Sequence, residues 1–582
     1  MVQNLYAEAG DAAHKTATQT KAQADFPLGI EGFTYGDLFR PVRLRALAEA
    51  FYAEVGREDA PLHASLMEYV GSRGENLKGT RAESELLIKA AAHLSRFVAR
   101  LFGIEVERGR LAEGIRAQDP VFQFKHFVQR RATKSFPAEK AAALDLEAAD
   151  AALEELRRGA FADTLEDDRE LGVARMTARL LEWEKNYPKE GVRREEEWSE
   201  GRARETEAAR EKLKGTRAEG ALAAWRAEDE DGSDESRAFV RSSLKLIEAW
   251  AAAHALRTDA RGRVKGWVSF RFPHPLNYEH LVQLERPEAE LPELMRGFDK
   301  NLRRRDGFKL TDRRYNAREV LEEIHYCLYC HERDKDSCSK GLHERDGSLK
   351  KNPLGIKLTG CPLDEKISEM HVLHRDGDPL AALAVVVIDN PMCPGTGHRI
   401  CNDCMKSCIF QKQEPVNIPQ AETGILTHVL SLPYGFEIYG LLTRWNPINA
   451  KRPYALPYNG KNVLVVGLGP AGYTLAHFLL NEGFGVVGID GLKIEPLDAE
   501  LTGEGGRRVP RVVRDIREIE SELDTRVLAG FGGVSEYGIT VRWDKNFLTL
   551  MHLTLARRDR FRFYGGVRFG GTLSIEDAWE LG

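Results

Sequence analysis

The sequence predicts a multidomain protein. It has a mostly α-helical N-terminal half, then a helical segment that carries cysteines. An α/β segment of the Rossmann type follows and looks incomplete at its C-terminal end. Three observations carry this reading. Apolar residues recur at helical spacing through residues 37–310, which hold no cysteine. All eight cysteines fall between Cys327 and Cys408. The stretch GKNVLVVGLGPAGYTLAHFLLNEGFGVVGID at 460–490 reads as strand, glycine loop, helix, strand and acid.

A chain of 582 residues holds several domains, at about 100–200 residues each. The formal net charge of −6 gives no basic footprint for nucleic acid. No apolar run approaches the ~18–20 residues of a membrane helix. The longest, LAALAVVVI at 380–388, reads as a buried strand or a tight connection. The first residues, MVQNLYAEAGDAAHK, show no basic-then-apolar leader. These points lead to the expectation of a cytoplasmic chain whose thiols stay reduced and open to metal.

Taken in order, residues 1–36 are polar and Ala-rich and read as a flexible arm. Residues 37–310 form a helical domain of unassigned role. Leu44, Leu47, Ala48, Phe51 and Val55 mark one helix; Leu87, Ala91, Leu94, Val98 and Leu101 mark another, stopped by Gly103. The heptapeptide LKGTRAE occurs at 77–83 and 213–219; Thr80 with Glu83 and Thr216 with Glu219 make it a reused helix start. Residues 140–227 read as long solvated helices, with RREEEW at 193–198 an exposed face. EDEDGSDES at 228–236 reads as a loop tip, and WVSFRFPHP at 267–275 as a short extended segment. His93 and His126 have no catalytic neighbours in the pattern. Residues 311–430 form the cysteine domain, 431–458 a linker, and 459–582 the Rossmann-like domain.

The cysteines read CLYCHERDKDSCSKG at 327–341, GCPLDEKI at 360–367 and CPGTGHRICNDCMKSC at 393–408. Four chemistries use such sets. Disulfides need an oxidising compartment. Structural zinc uses two Cys-x-x-Cys pairs, here 327/330 and 401/404, and leaves four thiols over unless a second ion takes them. CLYCH at 327–331 matches a haem-attachment string but ignores six cysteines. Two iron–sulfur cubanes use Cys327, Cys330, Cys338, Cys361, Cys393, Cys401, Cys404 and Cys408 with none spare, and this reading is favoured.

In the second motif Val463–Val466 enters Gly467-x-Gly469-x-x-Gly472, and the helix that follows places Leu475, Phe478 and Leu479 on one side. Val486–Ile489 then ends in Asp490. Gly467 makes the tight turn, Gly469 admits a pyrophosphate and Gly472 lets helix and strand pack. The helix N-terminus faces the phosphates, and Asp490 accepts from a ribose.

Residues ~320–582 resemble the small (β) subunit of glutamate synthase and its relatives, including the N-terminal part of dihydropyrimidine dehydrogenase. The resemblance rests on Cys327, Cys330, Cys338 and Cys361-Pro362, on Arg399-Ile400-Cys401, Cys404 and Cys408, on PVNIPQAE at 415–422, and on Gly467-Leu-Gly469-Pro470-Ala471-Gly472. It implies an α-helical dicluster ferredoxin-like domain with interleaved ligands. Cys327, Cys330, Cys338 and Cys408 would hold one 4Fe–4S cluster, and Cys361, Cys401 and Cys404 the other. Cys393 is the expected fourth ligand of the second cluster, with Gln420 as the fallback. Gly467, Gly469, Pro470, Ala471, Gly472 and Asp490 would bind FAD, with Gly532 and Gly533 behind the flavin. Thr540 stands where the family has proline, and long insertions separate the second, third and fourth cysteines. A family member would continue past Gly582 into the end of the FAD fold and an NAD(P)H domain.

The resemblance therefore implies an FAD-dependent NAD(P)H oxidoreductase module with two 4Fe–4S clusters. NAD(P)H would act through a missing or separate domain, and the chain would need that domain or a redox partner protein, so it is expected to be inactive alone. No acid/base pair or nucleophile is identified. A non-catalytic electron-transfer or zinc-binding scaffold is the competing class.

Overall fold

The computed structural model describes residues 25–165, 167–186, 196–225, 235–282, 284–299, 310, 313–397, 401–506, 508–523, 530 and 544–582. Residues 1–24, Arg193–Glu195, the 228–234 part of the expected loop tip, Arg399-Ile400, Gly532, Gly533 and Thr540 lie outside them. The chain divides into two compact units. One spans Gly114–Phe272, and the other joins the segment before it to Pro273–Gly582. The helices of residues 41–102 therefore belong with the cysteine segment, not with a single helical domain of 37–310.

The multidomain, mostly helical character expected from the sequence is what the structure shows. In the Gly114–Phe272 unit, the Glu235–Leu256 helix is buried along most of its length. Trp250 packs against Trp267 and Phe270, and its indole N–H donates to Asp150 at 2.6 Å. Glu170 accepts from the backbone N–H and hydroxyl of Ser269 at 2.8 and 2.6 Å. Residues 267–275 are thus not an extended segment at their start. Val268–Phe270 is one turn of 3₁₀ helix, with Ser269 fixed by that buried carboxylate.

In the other unit the expected strand at 380–388 is a helix, Pro379–Asp389. Asp378 caps it by accepting from the Ala381 N–H at 3.1 Å, and Pro379 occupies the first turn, where its missing N–H costs nothing. Leu380–Val387 are all buried, because the Arg81–Phe102, Ile367–Arg375 and Ile418–Leu430 helices surround this one. A helix apolar all round belongs in a core, and a short apolar run leaves strand and helix undecided until its neighbours are known.

The Arg81–Phe102 helix begins as the repeated heptapeptide predicts. Thr80 accepts from the Glu83 N–H at 3.3 Å, and Glu83 reaches back to the Gly79 N–H at 2.6 Å. It ends at Gly103 in the left-handed conformation. Residues 25–36, expected as part of a flexible arm, are fixed. The Gly29 N–H donates to the Leu101 carbonyl at 2.9 Å, and Asp25 accepts from the Gly36 N–H at 2.8 Å.

The expected linker at 431–458 is instead a buried helix, Gly435–Arg444, followed by a bridge between Trp445 and Tyr454. Its Glu437 pairs with Arg557 at 2.7 Å, both almost wholly buried. Removing either partner would strand a buried charge, at a cost of about 3–5 kcal/mol.

The C-terminal segment holds a three-stranded parallel sheet. Asn462–Val466 lies beside Gly485–Asp490, which lies beside Phe561–Gly565. The Pro470–Asn481 helix connects the first two strands. Its buried residues are Tyr473, Ala476, His477, Leu480 and Asn481, whereas Leu475 and Phe478 are exposed. Sheet, helix and the Asn546–Ala556 helix share one core, which also takes in Met392 beside Cys393. No boundary at 459 separates this segment from the cysteine region.

Among the described residues, no single helix is long and apolar enough to cross a membrane.

Candidate metal and nucleotide sites

The eight thiols are all free, and all but Cys393 fall into two groups. The first draws on three segments. The Ala317–Tyr326 helix starts on an Asn316–Glu319 capping box and ends at Cys327. Tyr329, in the left-handed region at φ 48°, turns the chain back so that Cys330 faces the same way as Cys327. Cys338 lies in the short Ser337–Lys340 helix, and Cys408 follows the Asp403–Ser407 helix. Cys327, Cys330, Cys338 and Cys408 line a single pocket closed by apolar chains, among them Ile367, Phe410 and Ile418.

The long insertion between Cys338 and Cys361 is a closed excursion. Bridges His343–Leu349 and Lys351–Lys357 fold it on itself, and the Cys361 N–H donates to the Cys338 carbonyl at 2.8 Å. Extra residues in such a surface loop leave its ends in place.

Cys361, Cys401 and Cys404 form the second group. Cys404 lies within electrostatic reach of both Cys361 and Cys401. Two fully buried carboxyls, Glu365 and Glu422, act on Cys361, Cys404 and Cys393 alike. Asn390 donates to Glu422 at 2.6 Å, while one oxygen of Glu365 has no partner. Cys401, the exposed member, donates to Asp403 at 3.3 Å. The oxygen of Gln420, the fallback ligand, accepts from the Tyr315 N–H at 3.3 Å. Glu422, two residues further along the same helix, is the residue that sequence reasoning missed; no spacing rule marks it, because only the folded helix puts it among the thiols.

Burial pushes these thiols up: Cys327 and Cys361 to about 12, Cys330 to about 11, and Cys338, Cys393 and Cys404 well above the usual thiol range. A thiolate is the metal-binding form, so these groups release protons when a cation takes them.

Among the described residues, no three His, Cys, Asp or Glu side chains converge on one ion position. A cubane would spread its four thiolates over four irons, so its ligands need not converge on one ion position. The pocket also holds orphaned polar atoms. His371, wholly buried on the Ile367–Arg375 helix, has neither ring nitrogen bonded, and the Ser337 hydroxyl has no partner. Burying such groups unpaired costs about 1–3 kcal/mol each. An acceptor bound among the thiols would remove that cost.

The glycine loop joins the first strand to the Pro470–Asn481 helix. Gly467 has φ 91°, and a Cβ on it would meet open space. A Cβ on Gly472 would lie 1.9 Å from the Gly467 carbonyl oxygen, so only glycine fits there. Gly469 caps the helix, with Pro470 and Ala471 in its first turn. Asp490 ends the second strand and accepts from the Leu468 and Leu492 N–H groups at 2.7 and 2.8 Å. It therefore holds the loop in shape.

Residues 28–103 match a family model described as the RP005 N-terminal alpha-helical domain, and the helices Pro41–Glu58, Ala60–Gly71 and Arg81–Phe102 fall inside that match. The chain is 50% identical over 190 residues to "Uncharacterized protein RP006" of Rickettsia prowazekii (strain Madrid E). That alignment takes in 33% of this chain and 26% of the relative, so the chain spans about a quarter of that relative's length. It is 28% identical over 348 residues to "Uncharacterized protein RP005" of the same organism, covering 57% of this chain and 92% of the relative.

Proposed function

We propose that the chain is a flavin- and iron–sulfur-dependent oxidoreductase module of the glutamate-synthase-small-subunit kind. It would pass electrons between NAD(P)H, through FAD, and a partner protein by way of two 4Fe–4S clusters. The observation that carries the reading is the pocket lined by Cys327, Cys330, Cys338 and Cys408, drawn together from three segments and containing the unpaired His371 ring.

Cys327, Cys330, Cys338 and Cys408 would hold the first cluster. Cys361, Cys401 and Cys404 would hold the second, with Cys393 or Glu422 completing it. Gly467, Gly469, Pro470, Ala471, Gly472 and Asp490 would take the adenosine diphosphate end of FAD at the start of the Pro470–Asn481 helix. The clusters supply one-electron steps and the flavin links them to two-electron hydride chemistry. The protein's part is to supply thiolates, to keep water from the first pocket with Ile367, Phe410 and Ile418, and to hold the phosphates on backbone N–H groups. NAD(P)H would act through a separate domain or polypeptide.

Anaerobic reconstitution followed by iron, sulfide and flavin analysis tests this. About eight irons and eight sulfides per chain are expected, with a broad visible band. A colourless protein that retains zinc overturns the reading.

A further inference from the structure

The structure assigns to His371 and Ser337 a further task, which rests on the cluster reading above: they donate hydrogen bonds to the sulfurs of the cluster held by Cys327, Cys330, Cys338 and Cys408 and thereby raise its reduction potential. Both side chains line that pocket, and both are buried. Neither ring nitrogen of His371 and no lone pair or proton of the Ser337 hydroxyl finds a partner in the protein.

Other buried histidines of the same unit are engaged. His374 bonds His428 at 2.8 Å, and His331 bonds Ser368 at 2.7 Å. His371 lies one turn before His374 on the same helix, yet is left facing the thiols. A neutral imidazole carries one N–H, so one nitrogen has a proton to donate.

Uptake of one electron adds negative charge that spreads over sulfide and thiolate sulfurs. An N–H or O–H aimed at those sulfurs favours the reduced state, which moves the potential upward. Each group has buried carboxyls beside it, Asp336 on Cys338 in the first and Glu365 and Glu422 in the second, and the unpaired donors His371 and Ser337 line the first.

The test is an EPR-monitored redox titration of the anaerobically reconstituted chain, with iron and sulfide measured on every sample. The signal lost in Cys338→Ala identifies the first cluster. His371→Leu is expected to lower the reduced-to-oxidised ratio of that cluster about tenfold at a fixed potential, about 59 mV for one electron. The second cluster should not move. His371→Gln, which keeps an N–H, should restore most of the shift, and Ser337→Ala should shift the same cluster in the same direction by less. Full iron content with an unmoved first midpoint in both His371→Leu and Ser337→Ala overturns the proposal, as does an equal shift of both clusters. Loss of the first cluster in His371→Leu that His371→Gln does not repair makes the ring a ligand and also overturns it. Absence of iron and sulfide from the wild-type chain is a different result, which removes the cluster reading itself.

Discussion

The two thiol groups occupy one window of sequence and meet different surroundings. Around Cys327, Cys330, Cys338 and Cys408 most of the lining is apolar, His371 and Ser337 are unpaired, and the buried Asp336 accepts from the Cys338 thiol at 3.4 Å. Around Cys361 and Cys404 the strongest electrostatic neighbours include Glu365 and Glu422, and Cys401 reaches solvent. Two centres with the same ligand type can therefore have different potentials. Hydrogen bonds, local charge and solvent exposure set them, not the thiolates alone. On the proposed reading, separating the potentials would give electrons a direction.

The largest test of this division removes one member of the first group. Cys338→Ala should lower iron from about eight to about four per chain and leave one EPR signal intact. Loss of both signals would show that the groups are one interdependent site.

The second group can be sharpened at its fourth position. Glu422→Ala is expected to disturb the second cluster's EPR signal, whereas Gln420→Ala leaves it, because Gln420 is occupied by the Tyr315 N–H. Cys393→Ser separates the remaining candidates: an unchanged second signal gives the place to Glu422.

Gly472→Ala probes the nucleotide loop. The added methyl meets the Gly467 carbonyl, so the variant should lose about 3 kcal/mol of stability in urea titration and should not retain flavin. A variant that binds flavin normally would break the assignment of this loop.

The buried thiols also make a pH prediction for metal-free protein. Cys327 has its pKa raised by burial from 9.0 to about 12. An acid whose pKa is higher in the folded state stabilises the fold fully below its unfolded pKa. That stability is lost as pH rises toward the folded value. Between pH 7 and pH 10 the metal-free wild type should lose about 1.4 kcal/mol that Cys327→Ser does not. Urea midpoints at the two pH values measure this, and equal losses would mean that the Cys327 pocket is wet.

The smallest effect is expected in the Gly114–Phe272 unit, which contains no cysteine. Chelation should leave the helical circular dichroism of that fragment unchanged. A change would show that metal reaches a part of the molecule with no thiol to hold it.

By itself the sequence determined what short-range chemistry dictates. The strand–glycine–helix–strand–acid order of 460–490 is legible because each of its parts is local, and its strands and helix are found where expected. The Thr80 start and Gly103 stop are legible for the same reason. Tertiary structure decided the rest. Residues 380–388 became a helix because three other helices enclose them, and 431–444 became core because Arg557 supplies a partner to Glu437 from far along the chain. Which thiols share a pocket, and that His371 and Glu422 stand beside them, depends on helices distant in sequence meeting in space. Spacing records a residue's place along its own segment; it does not record which segment comes to lie opposite.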